Sequence, residues 1–204
     1  MLQSLLLSVL ATGLLVHATP VPAPTGVPTT STANTELAAL TVAAAGSQDG
    51  YARSLFPTWI TISGNCNTRE TVIKRDGTNV VVNTACTATS GNWISPYDGA
   101  AWTSASDLDI DHLVPLSNAW KAGASAWTTA QRQAFANDLV NPQLLAVTNR
   151  VNESKGDRGP EDWKPSLTTY WCTYAKMWIK VKYVYKLTIT SAEKAALVTM
   201  IDTC

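Results

Sequence analysis

The stretch LDIDHLVPLSNAW, Leu108 to Trp120, decides the fold. Apolar and acidic residues alternate from Leu108 to Asp111, the period of a strand with one polar face. Pro115 closes the run, and a helix should start near Ser117. Side chains two apart in a strand share a face, so Asp109 and Asp111 point one way while Ile110 points into the core. His112 follows where the strand gives way to a loop. The chain has only two histidines, and the other, His17, lies in a segment expected to be cut off on export. His112 is then the one side chain that titrates near neutrality, and an imidazole near solvent is suited to general-base work. The neighbouring carboxylates would favour its protonated form, the wrong one for a base, and a divalent cation on them would oppose this.

Downstream, Thr128 and Gln131 have capping-box spacing for a helix that runs to about Asp138, and LLAVT, Leu144–Thr148, has the composition of a buried strand. The polar, glycine-punctuated NRVNESKGDRGP after it reads as a loop. A helix over about Thr168–Tyr185 carries Trp171, Tyr174, Trp178 and Val181 on one apolar face, and Thr190 with Glu193 caps a last helix ending near Cys204. Upstream, Glu36–Ala45 should be helical. Between Phe56 and Pro96, β-branched runs broken by Gly64, Gly77 and Gly91 predict short strands and hairpins, with Asp76-Gly77 as a turn. The fold class is α+β.

The first 18 residues form an apolar run too short to span a bilayer and end in small residues, the outline of a secretory signal peptide cut after Ala18. Residues 19–35 are rich in Pro and Thr and read as a flexible leader; residues 36–204 are the right length for one domain. Four cysteines in an exported chain favour disulfides. None forms a CxxC pair and no second histidine completes a zinc site. The pairing Cys66–Cys86 and Cys172–Cys204 closes one local loop each. Formal net charge is zero, which excludes a global basic field for a polyanionic partner. Every Lys and Arg nevertheless lies at Arg53 or later, and five lysines with no acid fall between Lys164 and Lys186, so a local basic face can still bind phosphates.

The order of the chemistry-bearing residues resembles that of the HNH nucleases, which are built on the ββα-metal motif. The likeness is strongest to a branch of secreted bacterial and fungal proteins in which D-H-x-V-P-L is followed by F-A-N-D-L, L-A-V, N-x-S-K-G-D and W-x-P. This chain has Asp111-His112-Leu113-Val114-Pro115-Leu116, Phe135-Ala136-Asn137-Asp138-Leu139, Leu145-Ala146-Val147, Asn152-Glu153-Ser154-Lys155-Gly156-Asp157 and Trp163-Lys164-Pro165. The resemblance implies a metal-dependent endonuclease; the lack of a global basic field adds the expectation of weak, salt-sensitive, non-specific binding to nucleic acid, and the protein is expected to be a monomer. By the resemblance, His112 activates water, Asp111 and Asn152 hold the metal, and Asn141 braces the loop carrying the histidine. Lys155 contacts a phosphate oxygen, and Asp109 stands behind the ligands. Asparagine at position 152, where the strict pattern has histidine, makes the shell all oxygen and points to Mg²⁺ or Mn²⁺. Arg158 and the lysines of the long helix would add phosphate contacts. Asn152-Glu153-Ser154 is also the one N-x-S/T sequon, and a metal ligand there must stay unglycosylated.

Two other readings compete. Eight tryptophans would suit a secreted carbohydrate-binding module if their rings were exposed, and a small phosphoesterase would share the same ligands. A Ser-His-Asp hydrolase is disfavoured, because no G-x-S-x-G elbow occurs.

Overall fold

Seven helices and seven strands lie within residues 24–204, the part of the chain that the computed structural model describes. The order is α1 (Thr30–Ala39), β1 (Thr61–Ser63), β2 (Cys66–Asn67), α2 (Thr68–Asp76), β3 (Gly77–Val82), β4 (Ala88–Ile94), β5 (Ala101–Trp102), β6 (Leu108–His112), α3 (Leu116–Lys121), α4 (Thr129–Ala136), β7 (Leu144–Thr148), α5 (Asn149–Lys155), α6 (Trp171–Val184) and α7 (Ser191–Ile201). The class is α+β, as expected. The signal-peptide reading of residues 1–18 lies outside the described residues. No helix among those described is long and apolar enough to cross a membrane.

The antiparallel pair β6–β7 sits at the centre, in register from Leu108 opposite Thr148 to His112 opposite Leu144. One face, Leu108, Ile110, Leu144 and Ala146, packs on Val72 and Ile73 of α2 and on Trp93 of β4. The other face gives Leu145 and Val147 to the larger core of α1, α3, α4, α6 and α7. Being covered on both sides, β7 is buried at all five positions, which is why LLAVT is uniformly apolar apart from its last residue. Its free edge is capped by side chains: Arg75 donates to the Leu144 carbonyl at 2.6 Å, and Asp76 accepts from the Ala146 amide at 2.9 Å. Both disulfides form as the cysteine spacing predicts, Cys66–Cys86 and Cys172–Cys204, the second tying the start of α6 to the end of the chain.

Four expectations change. Helix α1 begins at Thr30, inside the stretch read as a leader, with Thr29 as its cap. It ends before Ala45 because Val42 and Ala43 are drawn into extended pairing with Ile189. Ala33 is fully buried, so folded structure starts before residue 36. Within the region expected to hold only strands, α2 forms under an Asn67 cap that accepts from the Glu70 amide. Asp76-Gly77 is therefore the end of a helix, where Val72 and Ile73 pack rather than hairpin. Finally, residues 149–155 are helix α5, closed by Gly156 at φ +53°. The polar residues that suggested a loop point at the acidic face of β6, a partner that a single segment does not reveal.

Candidate active site

β6 and α5 bring the chemical side chains together by matching two periods. On the strand, Asp109 and Asp111 share the face opposite Ile110. On the helix, Asn149, Asn152 and Lys155 recur every three residues and form one stripe. The stripe meets the strand rung by rung. Asn149 and Asn152 donate from Nδ2 to the two oxygens of Asp109, at 3.0 and 3.1 Å, and Lys155 Nζ donates to Asp111 Oδ1 at 2.9 Å. Asp109 is half-buried, whereas Asp111 is 5% exposed and Lys155 is 0% exposed.

The Lys155–Asp111 pair is thus enclosed, with Lys155 also donating to the His112 carbonyl at 3.2 Å. The second Asp111 oxygen accepts from the Tyr97 hydroxyl at 2.5 Å. Burial raises the Asp111 carboxyl above its ordinary range, opposed by Lys155 and by the Tyr97 hydrogen bond. Burial and the Asp111 charge push the Tyr97 hydroxyl well up in turn, so it remains a donor.

His112 lies beneath the surface, 5% exposed, and not beside solvent as its place at a strand end suggested. Burial drives its imidazole down to about 3; the Ala136 carbonyl pulls the other way, and Arg53 and Lys155 add to the lowering. The ring is neutral at pH 7 through desolvation, and the nearby acids do not govern it. Its Nε2 lies 2.9 Å from the Ala136 carbonyl. A carbonyl can only accept, so Nε2 carries the proton and Nδ1 holds the free lone pair. The Trp59 ring covers one side at 5.5 Å.

The loop after His112 is braced by Gln143, not by Asn141. Gln143 is fully buried; its amide donates to the Val114 carbonyl at 2.8 Å and accepts from the Val114 amide at 3.1 Å, while its own carbonyl accepts from Leu113. Asn141 spends its side chain on Asp138, donating to Oδ2 at 2.7 Å. Tyr185 donates to the same oxygen at 2.8 Å.

A cleft of about 220 Å³ opens over this arrangement, lined by His112, Asp111, Asn152, Arg53, Glu153 and Asp157 among others. Lys155 is beneath it and does not reach a ligand there. Among the described residues no three His, Cys, Asp or Glu side chains cluster as a cation site. Asp111 and Asn152 nevertheless fit a hard cation held by few protein ligands. Each carboxylate oxygen of Asp111 keeps a second lone pair. Because Asp109 can only accept, it is the amide nitrogen of Asn152 that faces it, leaving Oδ1 as the atom available to the cleft.

The lysines of α6 do not form one phosphate-binding face: Lys182 is buried against Glu193 and Asn118, and Lys180 pairs with Glu36 at 2.7 Å. None of the eight tryptophans is exposed. Tyr97, Gln143, Asn149, Trp59 and Arg53 were not singled out by sequence. Asn149 had a signal, its spacing of three from Asn152, which becomes legible once the segment is read as helical.

Comparison with known proteins adds two matches. The profile of the C-terminal domain of the GmrSD restriction endonucleases matches residues 67–200. A protein of Arthroderma benhamiae named "Uncharacterized secreted protein" is 68% identical over 185 residues, which cover 91% of this chain and 91% of that protein. No solved structure matches.

Proposed function

This chain belongs to the family of the GmrSD restriction endonuclease C-terminal domain, and on that premise we propose that it is a secreted endonuclease of HNH type that hydrolyses phosphodiester bonds of nucleic acid with a divalent metal. β6, β7 and α5 serve as its ββα core. Export is supported by the signal-like first 18 residues and by the name of the Arthroderma relative, a secreted protein.

The observation that carries the reading is the state of His112. It is kept neutral by burial, its Nε2 proton is held by the Ala136 carbonyl, and it shares one cleft with Asp111 and Asn152. A water above Nδ1 gives it a proton as the water oxygen bonds to phosphorus; the bond from phosphorus to the leaving sugar oxygen breaks, and that oxygen is protonated from solvent. Asp111 and Asn152 would hold Mg²⁺ or Mn²⁺, which when bound stabilises negative charge growing on the leaving oxygen. Lys155 pairs with Asp111 at 2.9 Å, so the phosphate's own charge would supply part of the attraction for the cation. Tyr97 and Lys155 fix the Asp111 carboxylate, and Asn149 and Asp109 fix Asn152, so these four position the site without touching substrate. The Asn152 sequon stays unmodified on this reading, since its nitrogen is already committed to Asp109. The carbohydrate-binding alternative is weakened because its support was exposed rings, and none of the eight tryptophans is exposed.

The test is nicking of plasmid DNA and degradation of RNA by the purified mature protein, with Mg²⁺, with Mn²⁺ and with EDTA. The His112→Ala variant should stay folded and lose at least about 100-fold in cleavage. Equal activity in that variant, or undiminished cleavage in EDTA, sinks the mechanism.

A further inference from the structure

The family match begins at residue 67, yet one wall of the cleft comes from earlier in the chain. Arg53 lines it together with His112, Asp111, Asn152, Glu153 and Asp157. Its side chain is exposed and makes no ion pair among the described residues. Lys155, the cation that the sequence motif offers for a phosphate, is fully enclosed and committed to Asp111. The cleft therefore presents three carboxylates and one open cation to anything that enters.

The backbone that carries Arg53 is pinned on both sides. Tyr51 packs edge-on against Trp120, with ring centroids 6.0 Å apart. Phe56 is 1% exposed, between Trp120 and Phe135. The turn between them closes with Leu55 donating to the Ala52 carbonyl and Phe56 to the Arg53 carbonyl. Arg132, itself buried, donates from Nε to the Leu55 carbonyl at 3.0 Å. The backbone is therefore already ordered, and only the Arg53 side chain has to be fixed when it takes a ligand. A planar fork of N–H donors matches two oxygens of one phosphate.

We propose that Arg53 is the phosphate-binding residue of this site, contributed from outside the family's matched range and gripping the non-bridging oxygens of the diester that faces His112. The assignment rests on the nuclease reading above.

The experiment compares parent, Arg53→Ala and Arg53→Lys on two substrates with metal supplied: plasmid DNA, and bis(p-nitrophenyl) phosphate, which has a single phosphate. Binding of a short oligonucleotide across salt concentrations is measured in the His112→Ala background. Arg53→Ala should lose about 100-fold on both substrates, the range for removing one donor to a charged transition state. Arg53→Lys should recover part of it, all three proteins should melt alike, and the salt slope of binding should fall by about one. Unchanged turnover of the small diester by Arg53→Ala overturns the assignment, including when plasmid cleavage drops, since that result places Arg53 on a neighbouring phosphate. A parent that cleaves neither substrate and binds no oligonucleotide overturns the nuclease reading and this proposal with it.

Discussion

Replacing Lys155 by Met separates two roles for this residue, phosphate contact and buried counter-ion. Lys155 is 0% exposed, with Nζ 2.9 Å from Asp111 Oδ1 and 3.2 Å from the His112 carbonyl. Met keeps most of the apolar stem and fills the same space, so the change removes the charge and its hydrogen bonds and leaves Asp111 enclosed with only the Tyr97 hydroxyl. Breaking one side of a buried pair costs roughly 3–5 kcal/mol, a large share of the 5–15 kcal/mol typical of a domain. The deficit should depend on pH. Burial already raises the Asp111 carboxyl, and Lys155 is the largest influence holding it down; without Lys155 it rises further. A carboxyl whose folded value lies above its unfolded one contributes stability in acid, and that contribution is lost as pH rises through the folded value. The variant should therefore differ least from its parent near pH 4 and most near pH 8. Urea unfolding at a series of pH values measures this, and Lys155→Met combined with Asp111→Asn should recover more than half of the loss. If Lys155→Met unfolds like its parent at every pH and only cleavage is lost, Lys155 is a phosphate contact and the buried-pair account is wrong.

Two further outcomes follow from the same residues. His112 falls from the ordinary 6.5 to about 3 on folding, so between those values the unfolded chain binds a proton that the native protein refuses, and stability must drop as pH falls from about 6.5 toward 3. The penalty is on the order of 4 kcal/mol at the acid end, and His112→Asn should flatten the pH dependence of the urea midpoint in this window; parallel curves for the two proteins would refute it. Gln143→Ala strands the buried N–H and C=O of Val114 and should cost about 2–4 kcal/mol, with a loss of plasmid nicking as the loop after His112 loosens. Asn141→Ala, by contrast, removes bonds to Asp138 and should do less on both measures, and the reverse ranking would restore Asn141 as the brace.

The alternation in Leu108–His112 and the apolar run Leu144–Thr148 were legible because each is a local pattern. So were the capping boxes at Thr128 and Thr190, both formed in the structure, and the disulfide pairing, which followed from short loop closures. What stayed hidden depends on a partner from elsewhere in the chain. Helix α5 reads as loop until Asp109 and Asp111 are placed against Asn149, Asn152 and Lys155. Helix α2 is concealed by β-branched residues whose burial comes from β6 and β7.

Residue order alone therefore set one imidazole beside two aspartates on one strand face, and the resemblance to the HNH nucleases joined the Asn-x-x-Lys segment to them, because a motif is a local pattern that survives whatever the packing. Only the tertiary structure decided which charge is exposed. Enclosure turns Lys155 into the counter-ion of Asp111 and makes His112 a neutral acceptor, since the free energy of a charge depends on the water it loses and on the partner it gains. It also leaves Arg53 open to the cleft, and neither loss nor gain is written in a segment read by itself.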